Sequence, residues 1–233
     1  MASQGLLIHA VSEFARTLAR GSALGDVLNV LAERVTTVVG VAGAGVSLLE
    51  SGQFRFAAAT DERCAGLERV QEEEQAGPGV DACLTGKIVT LADLPGTSVG
   101  WARYQRAARE AGIAAVASAP IGHDLEKIGA VDLYSTGRRD WSAADLGTAT
   151  ILADMATGYL VQARELDHQS RLIGQLSRAL DSRIVIEQAK GVLAAERNIS
   201  VNEAFEVLRR HARSHSVSLH SVAEAVVNLG VDP

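Results

Sequence analysis

The chain has 233 residues, of which 47% are hydrophobic and 21% charged, and its formal net charge is −6. This composition supports one or two packed domains and excludes a wholly disordered chain. The aromatic content of 4% argues against a platform that stacks RNA bases on Phe and Tyr, and the negative net charge argues against nucleic-acid binding through bulk charge.

The first two predicted elements are helices, because apolar residues recur at helical spacing over residues 6–18 and again over 24–35. Gly21 separates the two runs, and Ser22 offers a side-chain cap for the second helix. We therefore assign residues 1–21 to an N-terminal helix and begin the first domain at residue 22.

The apolar pattern then changes from helical to strand-like. Apolar runs at 43–49 and 54–59 flank a Gly-containing hairpin turn, and further strands are predicted at 88–91, 115–121 and 128–134. The polar stretch 123–127 is a predicted turn between the last two. Helices are predicted between the strands at 65–75, 80–84 and from Val99 to Ala111. This order predicts an α+β domain with an antiparallel sheet over residues 22–160.

A long helix is predicted from Ser142, which can cap it together with Asp145. Tyr159, Leu166, Ile173 and Leu180 repeat every seven residues and Leu176 takes a matching position, although Gln162 and Gln169 fall in the same seam. Such a helix would extend about 60 Å, too far to pack within one small domain. We therefore expect a coiled-coil connector at 161–182 and a homodimer.

The last segment, 183–233, is predicted to be an all-α bundle of three short helices that follow the connector. The first covers 184–197 and stops at Asn198, Ser200 opens the second in a capping box with Glu203, and Ser218 caps the third. Residues 171–233 are close to neutral, whereas the acidic excess lies in 1–170. Any nucleic-acid contact should therefore lie at the C-terminus and depend on local clusters of cations.

Three elements of this bundle, QAKG at 188–191, S-x-x-E-A-F at 200–205 and LRR at 208–210, resemble the ANTAR domain in order and spacing. The resemblance implies an RNA-binding antitermination domain that binds dual stem-loops in nascent transcript leaders as a dimer. His211 departs from the Tyr that many members carry at this position, which puts the transfer of individual contacts in doubt.

The RNA contacts that we expect in this domain come from its cations and from an open helix surface. Lys190 stands between the small residues Ala189 and Gly191, which leave room for a phosphodiester. Planar guanidinium groups suit phosphates and exposed base edges. The candidate RNA-binding residues are Arg183, Gln188, Lys190, Gly191, Arg209, Arg210 and Arg213. The alternative is that the arginines only pair with Glu206 on a solvated helix face.

Segments 84–94, 111–121 and 129–135, with Trp101, resemble a GAF sensor domain of the kind fused to ANTAR in actinobacterial-type proteins. The resemblance implies room for an unidentified small-molecule effector between the sheet and its helices, and it implies no particular cofactor. The candidate pocket residues are Phe56, Trp101, Tyr104, Ser118 and Tyr134. Trp101 and Tyr134 could equally be core aromatics, and His123 is interpreted as a loop residue.

The cysteines do not indicate an enzyme or a metal site. Cys64 and Cys83 form no C-x-x-C pair, Cys64 is next to acidic residues that would raise its pKa, and Cys83 lies in an apolar helix. A sulfoxide reductase of the GAF type is thus disfavoured, and other catalytic motifs are absent from the sequence. No signal-like segment and no apolar run of roughly 18–20 residues is present, so we expect a cytoplasmic protein without a membrane partner.

Two other functions remain open at this stage. The bundle could be a protein-interaction signalling module without RNA binding, since its net charge is low. It could also be a DNA-binding helical regulator, although QAKG is not typical of a recognition helix and we expect no DNA partner.

Overall fold

The computed structural model describes residues 2–95, 97, 100–123 and 126–230. Contacts divide the chain into two units, Met1–Ala163 and Arg164–Pro233. The first unit contains α1 (Ala2–Ala19), α2 (Leu24–Val39), β1 (Gly43–Glu50), β2 (Gln53–Ala59), α3 (Glu62–Glu74), α4 (Pro78–Thr85), β3 (Val89–Leu91), α5 (Ala102–Glu110), β4 (Ala115–His123) and β5 (Glu126–Ser135). Helix α6 (Ala143–Arg197) starts in this unit and ends in the second, where α7 (Val201–Ser214) and α8 (Leu219–Leu229) follow.

The five strands form one antiparallel sheet in the order β2-β1-β5-β4-β3, as the α+β prediction required. The β1–β2 hairpin turns at Ser51 and Gly52, whose φ values of 51° and 79° match the twist of a two-residue turn. Val99, where a helix was predicted to start, and residues 124–125 of the predicted polar turn lie outside the described residues.

Strand β5 shows how the sheet divides the first unit into two layers. Val131 and Leu133 face a core formed with α1, α2 and the first part of α6. Asp132 and Tyr134, which alternate with them, face the opposite side, where α3 and α5 cover the sheet around Leu67 and Tyr104. A polar residue of β5 is therefore buried beneath two helices.

The second unit is a small helical core. Small and branched side chains from the end of α6, α7 and α8 fill it, namely Ala189, Leu193, Ala204, Leu208, Ala212, Val222, Ala223 and Val226. The predicted caps are confirmed: the Ser200 hydroxyl accepts from Glu203 N, the Glu203 carboxylate accepts from Ser200 N, and Ser218 accepts from Ser221 N. Asn198 takes the predicted left-handed conformation with φ of 51°.

Two local predictions were wrong. The connector and the first bundle helix are one continuous helix, α6, because residues 181–183 contain neither Gly nor Pro and no capping side chain interrupts the backbone hydrogen bonds. Ser22 does not cap α2: its hydroxyl donates to Thr17 O, and Ala23 occupies the cap position. Among the described helices, none is long and apolar enough to cross a membrane.

Candidate nucleic-acid interface and sensor-domain interior

Lys190 occupies a defined position on α6 in the second unit. Its ammonium group donates to both carboxylate oxygens of Glu187 at 2.8 Å and lies 5.5 Å from the centroid of the Phe205 ring. Only 14% of the side chain is exposed. The charge is therefore held in place by a carboxylate and an aromatic ring, and an RNA phosphate would have to compete with Glu187 for it.

Helical spacing places the other cations relative to Lys190. Arg209 and Arg213 follow Phe205 at intervals of one turn on α7, and Arg183 precedes Lys190 by two turns on α6. Together, Arg183, Lys190, Arg209 and Arg213 form what we call the basic stripe. Arg210 lies on a different face of α7, beside a shallow pocket that Arg197, Ile199 and Val207 also line.

The arginines of α7 are exposed. Arg209 pairs with Glu206 at 3.3 Å, so the predicted alternative pairing does occur for this residue. An exposed pair of this kind contributes only about 0.2–1 kcal/mol, and a phosphate can replace it easily. Within the described part of the chain, Arg210 and Arg213 have no ion pair.

Gly191 and Gln188 are both exposed on α6. A Cβ atom added at Gly191 would meet no heavy atom within 4 Å. Packing of the described residues therefore does not require glycine here. The absence of a side chain at Gly191 leaves an open helix surface next to Lys190.

The imidazole of His211 stacks on that of His215, with ring centroids 4.1 Å apart and an interplanar angle of 21°. The Nδ1 atom of His215 lies 3.1 Å from His211 O and 3.0 Å from the Ser214 hydroxyl. The two histidines are four residues apart on a helix, and this spacing could have indicated the stacked pair.

Four of the five predicted seam residues are exposed apolar side chains of α6, which also exposes Ile151, Leu172 and Ile184. Leu166, Ile173, Leu176 and Leu180 are 57–64% exposed. Tyr159 differs from them, because its hydroxyl donates to Ser22 O at 2.6 Å and its ring packs against the core of the first unit. The exposed stripe therefore begins at Leu166.

The interior beneath α3 and α5 contains two carboxyl groups, Glu68 on α3 and Asp132 on β5, both buried. The Tyr134 hydroxyl lies 2.6 Å from Glu68 Oε1 and 3.4 Å from Asp132 Oδ2. Ser47 donates to Glu68 Oε2 at 2.6 Å, and Gln71 donates to Asp132 Oδ2 at 2.5 Å. We call these five residues and the adjoining Tyr104 and Ser118 the acidic cluster.

Electrostatics in this interior favours neutral groups. Burial raises the pKa of both carboxyl groups, and the charge of Asp132 raises the pKa of Glu68 further. Burial also raises the pKa of the Tyr104 and Tyr134 hydroxyls, so both remain neutral phenols. The carboxyl pair is thus expected to share a proton near neutral pH.

Four of the five predicted pocket residues lie in or beside this cluster. Tyr104, Ser118 and Tyr134 are fully buried, and Ser118 pairs with Asp132 across β4 and β5. Trp101 meets Tyr104 edge-on, with centroids 6.2 Å apart. Phe56 lies on β2 opposite Ser47, with the guanidinium of Arg69 5.2 Å from its centroid.

Sequence reasoning missed the two carboxyl groups. Glu68 lies in the helix predicted at 65–75, and nothing in α3 alone distinguishes it from its exposed neighbours. Asp132, however, interrupts the apolar run of β5, and an acidic residue in the middle of a buried strand was a usable signal.

Cys64 is a neutral thiol near neutral pH. Burial raises the pKa of Cys64 to about 12, and this effect is larger than that of the neighbouring acids. Cys83 is buried as predicted. Among the described residues, no group of three His, Cys, Asp or Glu side chains could hold a metal ion.

Comparison with known proteins identifies two domain families in this chain. The GAF domain family matches residues 23–160, and the ANTAR domain family matches residues 174–227. Among curated proteins, no sequence relative matches. These two matches define a two-domain regulatory protein. The chain belongs to the GAF family and carries an ANTAR domain after its GAF domain, which is the arrangement of GAF–ANTAR regulators.

Solved structures share the fold of the first unit. The GAF domain of a phosphoenolpyruvate-protein phosphotransferase from Coxiella burnetii superposes with a TM-score of 0.54 at 13% identity, covering 70% of this chain and 96% of the other. The corresponding domain from Acinetobacter gives 0.52 at 12% identity, with 68% and 94% covered. Free methionine-R-sulfoxide reductase from Neisseria meningitidis gives 0.54 at 16% identity, with 70% and 91% covered. At such identities the likeness concerns the fold alone.

Proposed function

We propose that this chain is an RNA-binding regulator of transcription antitermination in the cytoplasm, and that it is not an enzyme. Its ANTAR domain binds hairpins in nascent mRNA leaders, and its GAF domain controls that binding. The observation that carries the proposal is the basic stripe on an ANTAR domain, with the open surface at Gly191 beside it. Cations in a row on one face suit the phosphates of a hairpin.

The near-neutral charge of the ANTAR domain shapes this mechanism. Because the domain has no strong overall electrostatic field, its affinity for RNA has to come from a few individual contacts. When the two ANTAR domains of a dimer bind two linked hairpins, the second binding event is intramolecular, and its high effective concentration raises the overall affinity. The exposed apolar stripe from Leu166 to Leu180 on α6 supports a homodimer, because such side chains at heptad spacing are buried when two helices associate.

Control by the GAF domain requires a difference in affinity between two states. An effector changes RNA binding only if it binds the RNA-competent dimer and the other state unequally. Helix α6 passes from the GAF domain into the ANTAR domain without a break in its backbone hydrogen bonds, which supports α6 as the element through which both domains are coupled.

The test is binding of the full-length protein to three labelled nucleic acids: a leader RNA with two hairpins, the same RNA with one hairpin deleted, and a DNA duplex. We expect preference for the two-hairpin RNA and read-through of a downstream terminator in single-round transcription. Equal binding to the duplex would favour the DNA-binding alternative. Absence of binding to all three would leave the protein-interaction module as the remaining function.

A further inference from the structure

The acidic cluster of the GAF domain contains polar atoms without partners. Within the described part of the chain, the Tyr104 hydroxyl, the Ser118 hydroxyl and Asp132 Oδ1 are buried and have no hydrogen-bond partner in good geometry. The three residues are 0–1% exposed. Burial raises the pKa values of Asp132 and Tyr104, and Ser118 and Tyr134, respectively, are nevertheless close enough to lower these pKa values by a smaller amount. Buried groups of this kind are normally satisfied, because desolvating a polar atom without a partner costs free energy. Three such atoms in one cluster indicate a place where a ligand donates hydrogen bonds.

The chemistry of the cluster selects the ligand's charge. When its carboxyl group is ionised, Asp132 Oδ1 accepts hydrogen bonds and cannot donate them. The Tyr134 hydroxyl links this carboxyl group to a second one, that of Glu68. The rings of Tyr104 and Tyr134 pack in the same cluster, with Trp101 at its edge. Carboxylates together with aromatic faces favour a cation that carries N–H donors.

We infer that the acidic cluster is a binding site for a small organic cation, either a primary ammonium or a guanidinium compound. A neutral ligand would leave the carboxyl pair uncompensated, and an anion would be repelled. A metal ion fits less well, because among the described residues no group of three His, Cys, Asp or Glu side chains could hold one. Given the proposed function, this cation is the effector that the GAF domain senses.

A cleft at the surface borders the acidic cluster at Tyr104, which belongs both to the wall of the cleft and to the cluster. The cleft has a volume of about 370 Å³, and its charged lining residues are Arg103 and Arg106 of α5 and Glu74 from the end of α3. Arg103 pairs with Glu74 at 2.7 Å, so the charge of this arginine is compensated within the cleft.

Binding should release a proton, which separates this site from a surface contact. The titratable groups that face the pair are Cys64 on α3, Tyr104 on α5 and Tyr134 on β5, and burial keeps all three neutral. The proton shared by Glu68 and Asp132 is therefore the one that a cation displaces. Titration calorimetry in two buffers of different ionisation enthalpy measures this release directly.

The experiment compares cations with neutral molecules of the same shape. Full-length protein with Trp141→Phe, which leaves Trp101 as the reporter, is titrated with methylguanidinium or propylammonium and with methylurea or 1-propanol. Salt is matched with NaCl. For at least one cation, we expect Trp101 fluorescence to change with a Kd below about 10 mM, an affinity that a ligand of a few heavy atoms can reach in a buried site. We expect no change with the neutral counterpart of that cation.

Variants then locate the binding. Asp132→Asn should weaken it about tenfold or more, and Tyr104→Phe and Ser118→Ala about threefold to tenfold each, because neither of the last two changes shape greatly. Glu62→Gln, an exposed acid of the same helix α3, is the matched control and should bind as the parent does.

Equal responses to cation and neutral molecule, binding without proton release, or unchanged binding in both Asp132→Asn and Ser118→Ala would each overturn the inference. If Asp132→Asn does not fold, the cation affinities of Tyr104→Phe and Ser118→Ala test the inference, and unchanged affinity in both variants would overturn it. Hairpin binding is measured on the same preparations. Absent cation binding with intact hairpin binding refutes only this inference, whereas the reverse result refutes only the proposed RNA-binding function.

Discussion

The ammonium group of Lys190 on α6 lies 5.5 Å from the centroid of the Phe205 ring on α7, and Glu187 holds it from the other side. This contact fixes one cation of the basic stripe against the helix that carries Arg209 and Arg213. It also means that part of the positive charge of the basic stripe is already compensated within the protein.

Removing that compensation should strengthen RNA binding. In Glu187→Gln the ammonium group of Lys190 keeps its place over Phe205 but loses its carboxylate partner. We expect hairpin affinity to rise about twofold to fivefold, the equivalent of about 0.4–1 kcal/mol, because the Glu187 carboxylate is exposed even though Lys190 is largely covered. Filter binding at constant salt measures the change. Glu196→Gln, another exposed acid of α6, is the control, and an equal gain in that variant would contradict a specific role for Lys190.

The carboxyl pair of the acidic cluster should make the GAF domain less stable at high pH. The pKa values of Asp132 and Glu68 are raised in the folded state, that of Asp132 to about 6, whereas unfolded carboxyl groups titrate near about 4. Their stabilising contribution is complete below the unfolded pKa and is lost as pH rises through the folded pKa values. The free energy of unfolding should therefore fall as pH rises from about 4 through about 6, and further as pH rises through the raised pKa of Glu68.

The measurement is urea unfolding followed by tryptophan fluorescence, since Trp101 and Trp141 both belong to the GAF domain. In the double variant Glu68→Gln with Asp132→Asn this part of the pH dependence should disappear, and Asp140→Asn, an exposed acid, should retain it. A double variant that keeps the parent's pH dependence would show that the pair is not its source.

Loss of the capping box should weaken the ANTAR bundle. Ser200→Ala removes the acceptor for Glu203 N at the start of α7, and caps of this kind contribute about 1 kcal/mol. Ser177→Ala, in the interior of α6, is the control and should be neutral or slightly stabilising. Circular dichroism during thermal unfolding reports the helical content. Equal melting of both variants would indicate that the cap contributes nothing.

The exposed stripe on α6 should determine the oligomeric state. Leu176→Glu places a charge among Leu166, Ile173 and Leu180, so we expect a monomer in sedimentation equilibrium and a loss of preference for two hairpins over one. Tyr159→Phe should leave the dimer intact, because Tyr159 bonds to Ser22 O in the first unit. A Leu176→Glu protein that remains dimeric would place the interface elsewhere.

Local signals predicted most of the fold. The caps at Ser200 and Ser218 and the stop at Asn198 depend on residues a few positions away, and the structure confirms them. The predicted break between the connector and the first bundle helix was wrong, because the backbone of α6 stays helical where the helix passes from one unit into the other. The Ser22 cap was wrong because the Ser22 hydroxyl donates to Thr17 O, five residues earlier, and does not accept from a backbone N–H of α2.

The acidic cluster could not be predicted in the same way. Glu68 becomes buried only because β5 brings Asp132 and Tyr134 beneath α3, 64 and 66 residues further along the chain. Such burial depends on tertiary pairing, which composition and periodicity do not report. The aromatic residues were accessible to sequence reasoning because the family resemblance located the pocket, whereas the carboxyl groups have no fixed place in that resemblance.

The salt dependence of two-hairpin binding tests RNA binding through the basic stripe. The parent and the variant Arg209→Ala with Arg213→Ala are compared, with the exposed Arg138→Ala of the first unit as control. We predict weaker binding in the double variant and a slope of log K against log salt that is shallower by about 0.7–0.9 for each phosphate contact removed, while the control matches the parent. A double variant with the parent's affinity and slope would contradict the account.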